Sequence, residues 1–140
     1  WDAETGMILV DTGYFIALLT PRDALHQRAC AWAQAVDEPL LVTEYVLWEC
    51  VNQLSLPEDR PKAQAFAQRV KLGNECDFVV ASPELRDAGL KLHASRMDKA
   101  WSLTDCVSFV VMRERGITRA LAFDQHFAQA GFEPLLRREP

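Results

Sequence analysis

The chain has 140 residues, a length that suits one domain with a substantial core. About half of it is hydrophobic and a quarter charged, as in ordinary soluble globular proteins, and no apolar run approaches the ~20 residues that a membrane-spanning helix needs. Twenty acidic residues against fifteen basic ones give a net charge of −5, which does not advertise a nucleic-acid binder.

The start, Trp1-Asp2-Ala3-Glu4-Thr5-Gly6, is polar and lacks the basic region of a signal peptide. Residues 1–6 are expected to be a processed or appended leader outside the fold, with one domain over 7–140. Met7 to Val10 reads as a strand, and 12–19 as a short apolar helix stopped by Thr20-Pro21. Leu25, Ala29, Trp32, Ala33 and Val36 recur with helical spacing, so an amphipathic helix follows. Leu40 to Thr43 is a second strand after Pro39. Leu47, Cys50, Val51 and Leu54 form the stripe of another helix, ended by Pro57.

Ala63, Phe66, Ala67 and Val70 mark the next helix, with Gly73-Asn74 as its expected C-cap. Phe78 to Ala81 is the third predicted strand. Ser82-Pro83 is an N-cap followed by proline at the first helical position, opening a helix to about His93. Ser102-Leu103-Thr104-Asp105 starts a helix that ends near Gly116. Strands are expected around Leu121 and Leu135, on either side of a short helix from about Gln125 to Ala130. Short strands alternating with helices predict βαβ units: a three-layer α/β/α sandwich around a central parallel sheet of about five strands.

Cys30, Cys50, Cys76 and Cys106 are widely spaced, with no CxxC pair and no histidine at zinc-ligand spacing. Free, mostly buried thiols are expected, and with them a cytoplasmic location.

Four acidic residues lie at the ends of apolar segments or within them. Asp11 follows Ile8-Leu9-Val10, Asp124 follows Ala120-Leu121-Ala122-Phe123, Asp105 opens Cys106 to Met112, and Glu49 lies within Val46 to Val51. Carboxylates at the carboxyl ends of buried strands point into the crevice where open α/β sheets bind ligands. Several converging there would repel unless a hard cation such as Mg²⁺ or Mn²⁺ sat between them. That points to a metal-dependent hydrolase acting on phosphodiesters.

Each acid also has a plainer reading. Asp11, Asp105 and Asp124 sit where helix N-caps belong, and Ser102 with Asp105 resembles a capping box. Glu49 falls away from the core stripe of its helix, beside Tyr45 and Asn52, where a solvated glutamate is ordinary. The basic residues Arg86, Lys91, His93, Arg96, Lys99, Arg113, Arg115 and Arg119 form either a phosphate-facing rim or a solvated face. Other chemistries lack their parts. His26, His93 and His126 lie on different elements with no HExxH or HxH, and no glycine-rich phosphate loop is present. Asp11-Thr12-Gly13 matches the aspartic-protease triplet, but those enzymes are β-rich and this triplet leads into a helix. A haloacid-dehalogenase-type phosphatase wants a second Asp where Gly13 stands. A receiver domain wants its acceptor Asp where Ala81-Ser82 stands.

The segments ILVDTGYFIALL, VTEYVLWECVN, DKAWSLTDCVSFVVM and ALAFDQHFAQAGF, in this order, resemble the four acidic motifs of PIN-domain ribonucleases, most closely the toxin branch of VapBC-type toxin–antitoxin pairs. The resemblance runs from Met7 onward. The family usually has threonine two residues before the fourth acid, where this chain has Ala122 and so lacks that hydroxyl.

By motif, the resemblance implies that Asp11, Glu49, Asp105 and Asp124 are catalytic, with Asp11, Asp105 and Asp124 holding Mg²⁺ or Mn²⁺. Glu49 would orient or deprotonate the attacking water, and Thr12 with Ser102 or Thr104 would support the carboxylates. It further implies an RNA substrate, a small antitoxin partner and a homodimer, with no membrane role. The alternatives are an RNA-processing nuclease without a toxin role and a catalytically silent interaction module.

Overall fold

The computed structural model describes residues 6–72 and 75–140. The expected leader, apart from Gly6, and the expected Gly73-Asn74 cap lie outside the described residues. Five strands, β1 (Ile8–Val10), β2 (Leu40–Thr43), β3 (Cys76–Val79), β4 (Arg119–Leu121) and β5 (Glu133–Pro134), form one sheet in the order β3-β2-β1-β4-β5. Every pairing is parallel, as the alternation of strands and helices predicts. β1 lies at the centre. The chain winds outward from it through β2 and β3, then returns to its other side for β4 and β5. The reversal falls between β1 and β4, and the crevice of such a sheet opens there, at the carboxyl ends of the strands.

Helices cover both faces. On one side are α1 (Thr12–Leu19), α2 (His26–Ala35), α3 (Glu44–Gln53) and α4 (Arg60–Leu72); on the other are α5 (Pro83–Ser95), α6 (Leu103–Arg115) and the short α7 (His126–Gln129). The strand residues divide between the two cores by alternation. Ile8, Val10, Val42 and Leu121 pack toward α1 to α4, whereas Leu9, Leu41, Ala120 and Ala122 pack toward α5 to α7. All eight are fully buried, which is why the strands read as continuous apolar runs.

Local chemistry sets the helix ends near the crevice. Ser82 Oγ accepts from the Leu85 amide at 3.0 Å, and Pro83 begins α5 as expected. Gly116 ends α6 in the left-handed conformation, φ 68°, which only glycine adopts freely. Gly89 serves a different purpose. A Cβ there would lie 2.6 Å from Val107 Cγ2, so its absence lets α5 close onto the buried α6. The four cysteines are free, as expected; Cys50 and Cys106 are buried, whereas Cys30 and Cys76 are only partly so.

Two predicted strands shift. The third was expected over Phe78 to Ala81 but occupies Cys76–Val79, because it pairs with β2, which ends at Thr43; Val80 has no ladder to join and is 64% exposed. The last was expected around Leu135 but is limited to Glu133–Pro134. Leu135 and Leu136 are both fully buried in the same core, which a strand with alternating faces cannot achieve, and they form a 3-10 turn instead.

Candidate active site

Asp11 follows β1 directly and occupies the N-cap position of α1 with extended backbone. It makes no side-chain capping bond to the helix, so the plain capping reading does not account for it. Its carboxyl is pushed up from the usual value near 4 to about 7. Burial is the largest cause and the charge of Asp105 the next; the Thr12 amide offsets part, and Glu49 and Asp124 raise it further. Four carboxyl groups from four separate chain segments therefore share one electrostatic environment at the carboxyl edge of the sheet.

Glu49 does not face open solvent. The buried Thr12 donates its hydroxyl to Glu49 Oε1 at 2.7 Å, tying α3 to the first turn of α1. Glu49 is off the core stripe of α3 because that side of the helix faces the crevice. Burial, then Asp11 and Glu49, raise the neighbouring Cys50 thiol well above its ordinary range, a second sign of an acidic interior.

At Asp105 the capping reading holds, and the carboxylate makes a further contact. The capping box forms: Ser102 Oγ accepts from the Asp105 amide at 2.9 Å, and Asp105 Oδ2 accepts from the Ser102 amide at 3.1 Å. The same Oδ2 lies 2.9 Å from His126 Nδ1. Asp124 accepts from the His126 amide through Oδ1 at 3.0 Å, and that oxygen is 3.3 Å from His126 Nδ1. Thr104 borders the same recess but makes no hydrogen bond through its hydroxyl among the described residues.

His126 is the residue that the sequence reading passed over. Its ring bridges Asp105 and Asp124, 21 and two positions away in the chain. The available signal was the Asp-Gln-His turn after β4, where a histidine two residues beyond a strand-end acid folds back over it.

Among the described residues, no three His, Cys, Asp or Glu side chains are drawn together into a shell able to cage an ion. Each of the outer acids is turned toward a local donor instead: Glu49 to Thr12, Asp105 to Ser102 and His126, Asp124 to His126. The donor chemistry itself suits a hard divalent cation, being oxygen-rich and centred on a buried carboxylate with no Lys or Arg ion pair among the described residues.

Most of the basic residues weighed as a phosphate rim serve elsewhere. Arg86, Arg96 and Lys99 pair with neighbouring aspartates, while Arg115 and Arg119 pair with Asp77 and Glu38 at the far end of α6 and the sheet. Arg137 is closer to the acids. It donates Nε to Phe123 O at 2.7 Å, its guanidinium lies 4.3 Å from the Phe123 ring centre, and it forms no ion pair among the described residues. A separate recess of about 240 Å³ between α1 and α4 is walled mainly by Phe15, Leu18, Leu19, Phe66 and Val70; it is apolar and contains none of the four acids.

A family model described as PIN domain matches residues 8–133. The chain is 29% identical over 126 residues to the 23S rRNA-specific endonuclease VapC20 of Mycobacterium tuberculosis, spanning 90% of this chain and 95% of that protein. The crystal structure of VapC20, a sarcin-ricin loop cleaving toxin, superposes with a TM-score of 0.84 at 28% identity, covering 91% of this chain and 97% of that one. The crystal structure of FitAcB from Neisseria gonorrhoeae shares the fold with a TM-score of 0.64 at 17% identity, covering 92% and 99%.

Proposed function

The chain belongs to the PIN-domain family, and we propose that it is a metal-dependent endoribonuclease that hydrolyses RNA phosphodiester bonds as the toxin of a toxin–antitoxin pair. The observation that carries the reading is the state of Asp11: a buried carboxylate at the sheet's switch point, raised to about 7 and surrounded by three further acids. Proteins keep such electrostatic strain where it is used.

Asp11, Asp105 and Asp124 would hold Mg²⁺ or Mn²⁺. Bound there, the ion would act as a Lewis acid on the phosphate and acidify the attacking water. Glu49, fixed by the Thr12 hydroxyl, would orient that water and accept its proton on a carboxylate oxygen. Ser102 holds Asp105, and His126 holds both Asp105 and Asp124, limiting the rotations open to those ligands. Arg137, stacked on Phe123 beside Asp124 and without an ion pair among the described residues, supplies positive charge for a neighbouring phosphate.

The similarity to VapC20 supports ribosomal RNA as the substrate class and a small antitoxin as the partner. A homodimer in the cytoplasm completes the reading. Among the described residues, no helix is long and apolar enough to cross a membrane.

The test is cleavage of RNA by the pure protein. Mg²⁺ or Mn²⁺ should support it, EDTA should abolish it, and Ca²⁺ should support little turnover because its looser coordination acidifies water less. Undiminished cleavage in EDTA would overturn the metal mechanism.

A further inference from the structure

Beside the acids lies a second recess, of about 360 Å³, walled by Glu44, Tyr45, Trp48, Glu49 and Asn52 of α3 with Ala81 and Thr104 opposite. It adjoins the candidate active site, since Glu49 belongs to both and Thr104 precedes Asp105. Tyr45, Trp48, Glu49 and Asn52 are spaced i, i+3, i+4 and i+7, so one helical face presents a phenol, an indole, a carboxylate and an amide together.

The wall has fixed and free parts. Glu44 Oε1 accepts from the Ala81 amide at 2.8 Å, and the Tyr45 hydroxyl donates to Ser82 O at 3.4 Å, joining α3 to the segment before α5. Trp48 is 66% exposed, and neither its indole N–H nor the Asn52 amide has a hydrogen-bond partner among the described residues. The core does not need this indole. The recess also contains two carboxylates and no cation, so a phosphate would be repelled, whereas a flat neutral ring with a hydrogen-bonding edge would not.

Resting on the ribonuclease reading, we infer that this recess is the subsite for an unpaired nucleobase adjoining the scissile phosphate, with Trp48 stacking on its face and Asn52 reading its edge. Single-stranded RNA offers splayed bases of this kind, and aromatic side chains are their usual platforms. The phosphate would lie at the acids and the base against α3, so Trp48 would align the strand without touching the reacting atoms.

The test uses a single-stranded RNA oligonucleotide of mixed sequence and versions carrying one abasic ribonucleotide on either side of the cleaved bond. Trp48→Ala should lower kcat/KM by about tenfold, within the roughly 5- to 150-fold range of one base–aromatic stack, mainly through KM. Trp48→Phe should retain most of the activity, and Asn52→Ala should weaken discrimination between bases at one flanking position. One abasic substitution should cost the wild type a similar factor and cost Trp48→Ala nothing more. Losses that multiply, or wild-type efficiency in Trp48→Ala, would overturn the subsite.

A binding arm separates this from failure of the nuclease reading. In the Asp11→Asn background, the oligonucleotide should quench indole fluorescence, and adding Trp48→Phe should remove that quench. A Trp48-dependent quench in a protein whose wild type cleaves no RNA sinks the nuclease and leaves the subsite. Cleavage with a quench that ignores Trp48, or with no quench, sinks the subsite alone. Melting curves confirm that the variants fold, as expected for an exposed side chain.

Discussion

The two ends of the sheet treat the same residue types in opposite ways. At the amino end, acids are matched with arginines: Glu38 with Arg119 and Asp77 with Arg115, each at 3.0 Å, and the Arg119 hydrogen bond holds the Glu38 carboxyl below its ordinary value. At the carboxyl end, Asp11, Glu49, Asp105 and Asp124 have no Arg or Lys partner among the described residues; burial and the charges of the other three drive Asp11 up to about 7. Composition does not distinguish these ends. The difference lies in placement: the acids at the amino end are matched by arginines, whereas at the carboxyl end the buried Asp11 carboxyl lies in the field of three further acids, a strain that a cation or a proton relieves.

The largest expected effect tests whether the carboxyl-end acids are caps or ligands. Asparagine caps a helix as well as aspartate but carries no charge. Asp11→Asn and Asp105→Asn should fold normally and lose RNA cleavage by more than about a hundredfold, beyond the 10–100-fold typical of losing only a supporting contact. Near-wild-type cleavage by Asp105→Asn would return that residue to its capping box alone.

The next effect is on stability without metal. The folded-state value for Asp11, about 7, lies above its unfolded value of 3.8. Between those two values the folded protein binds more protons than the unfolded chain, so stability falls as pH rises and levels off above pH 7. The stability of Asp11→Asn relative to wild type should therefore climb from about pH 4 to pH 7 by on the order of 3–4 kcal/mol, then flatten. Denaturant titrations in EDTA across that range decide it; a difference that shrinks with pH contradicts the assignment.

Bound cation should remove the same strain. At a hundredfold excess over Kd, Mn²⁺ should stabilise the wild type by ~2.7 kcal/mol, and Asp11→Asn should lose most of that rise in melting temperature. Equal rises in both proteins would place the ion elsewhere.

The smallest effect belongs to the amino end. Glu38→Gln removes an exposed pair and should change stability by no more than about 1 kcal/mol, with cleavage untouched. A large loss of activity there would erase the contrast between the two ends.

Much of this molecule is written locally. Ile8-Leu9-Val10 and Ala120-Leu121-Ala122 announce buried parallel strands because both faces of each strand are covered. Ser82-Pro83 and Ser102-x-x-Asp105 announce helix starts because the cap bonds span only three residues. Those signals place Asp11, Asp105 and Asp124 at element ends, and the motif order extends the candidate set to Glu49.

Three features depended on the tertiary structure, since each joins residues distant in the chain. The register of β3 is fixed by where β2 stops, so Val80, apolar and next in line, is left outside the ladder. Glu49 reads as a solvated side chain on its own helix and joins the candidate site only in the fold, where Thr12, 37 positions earlier, donates to it. His126 has no ligand-like spacing in the sequence, yet it bridges two acids once the turn after β4 meets the start of α6. Periodicity and capping are set by neighbours a few residues apart and survive in the sequence. The shared field that raises Asp11 exists only after the sheet brings four separate segments to one edge and buries the Asp11 carboxyl among them.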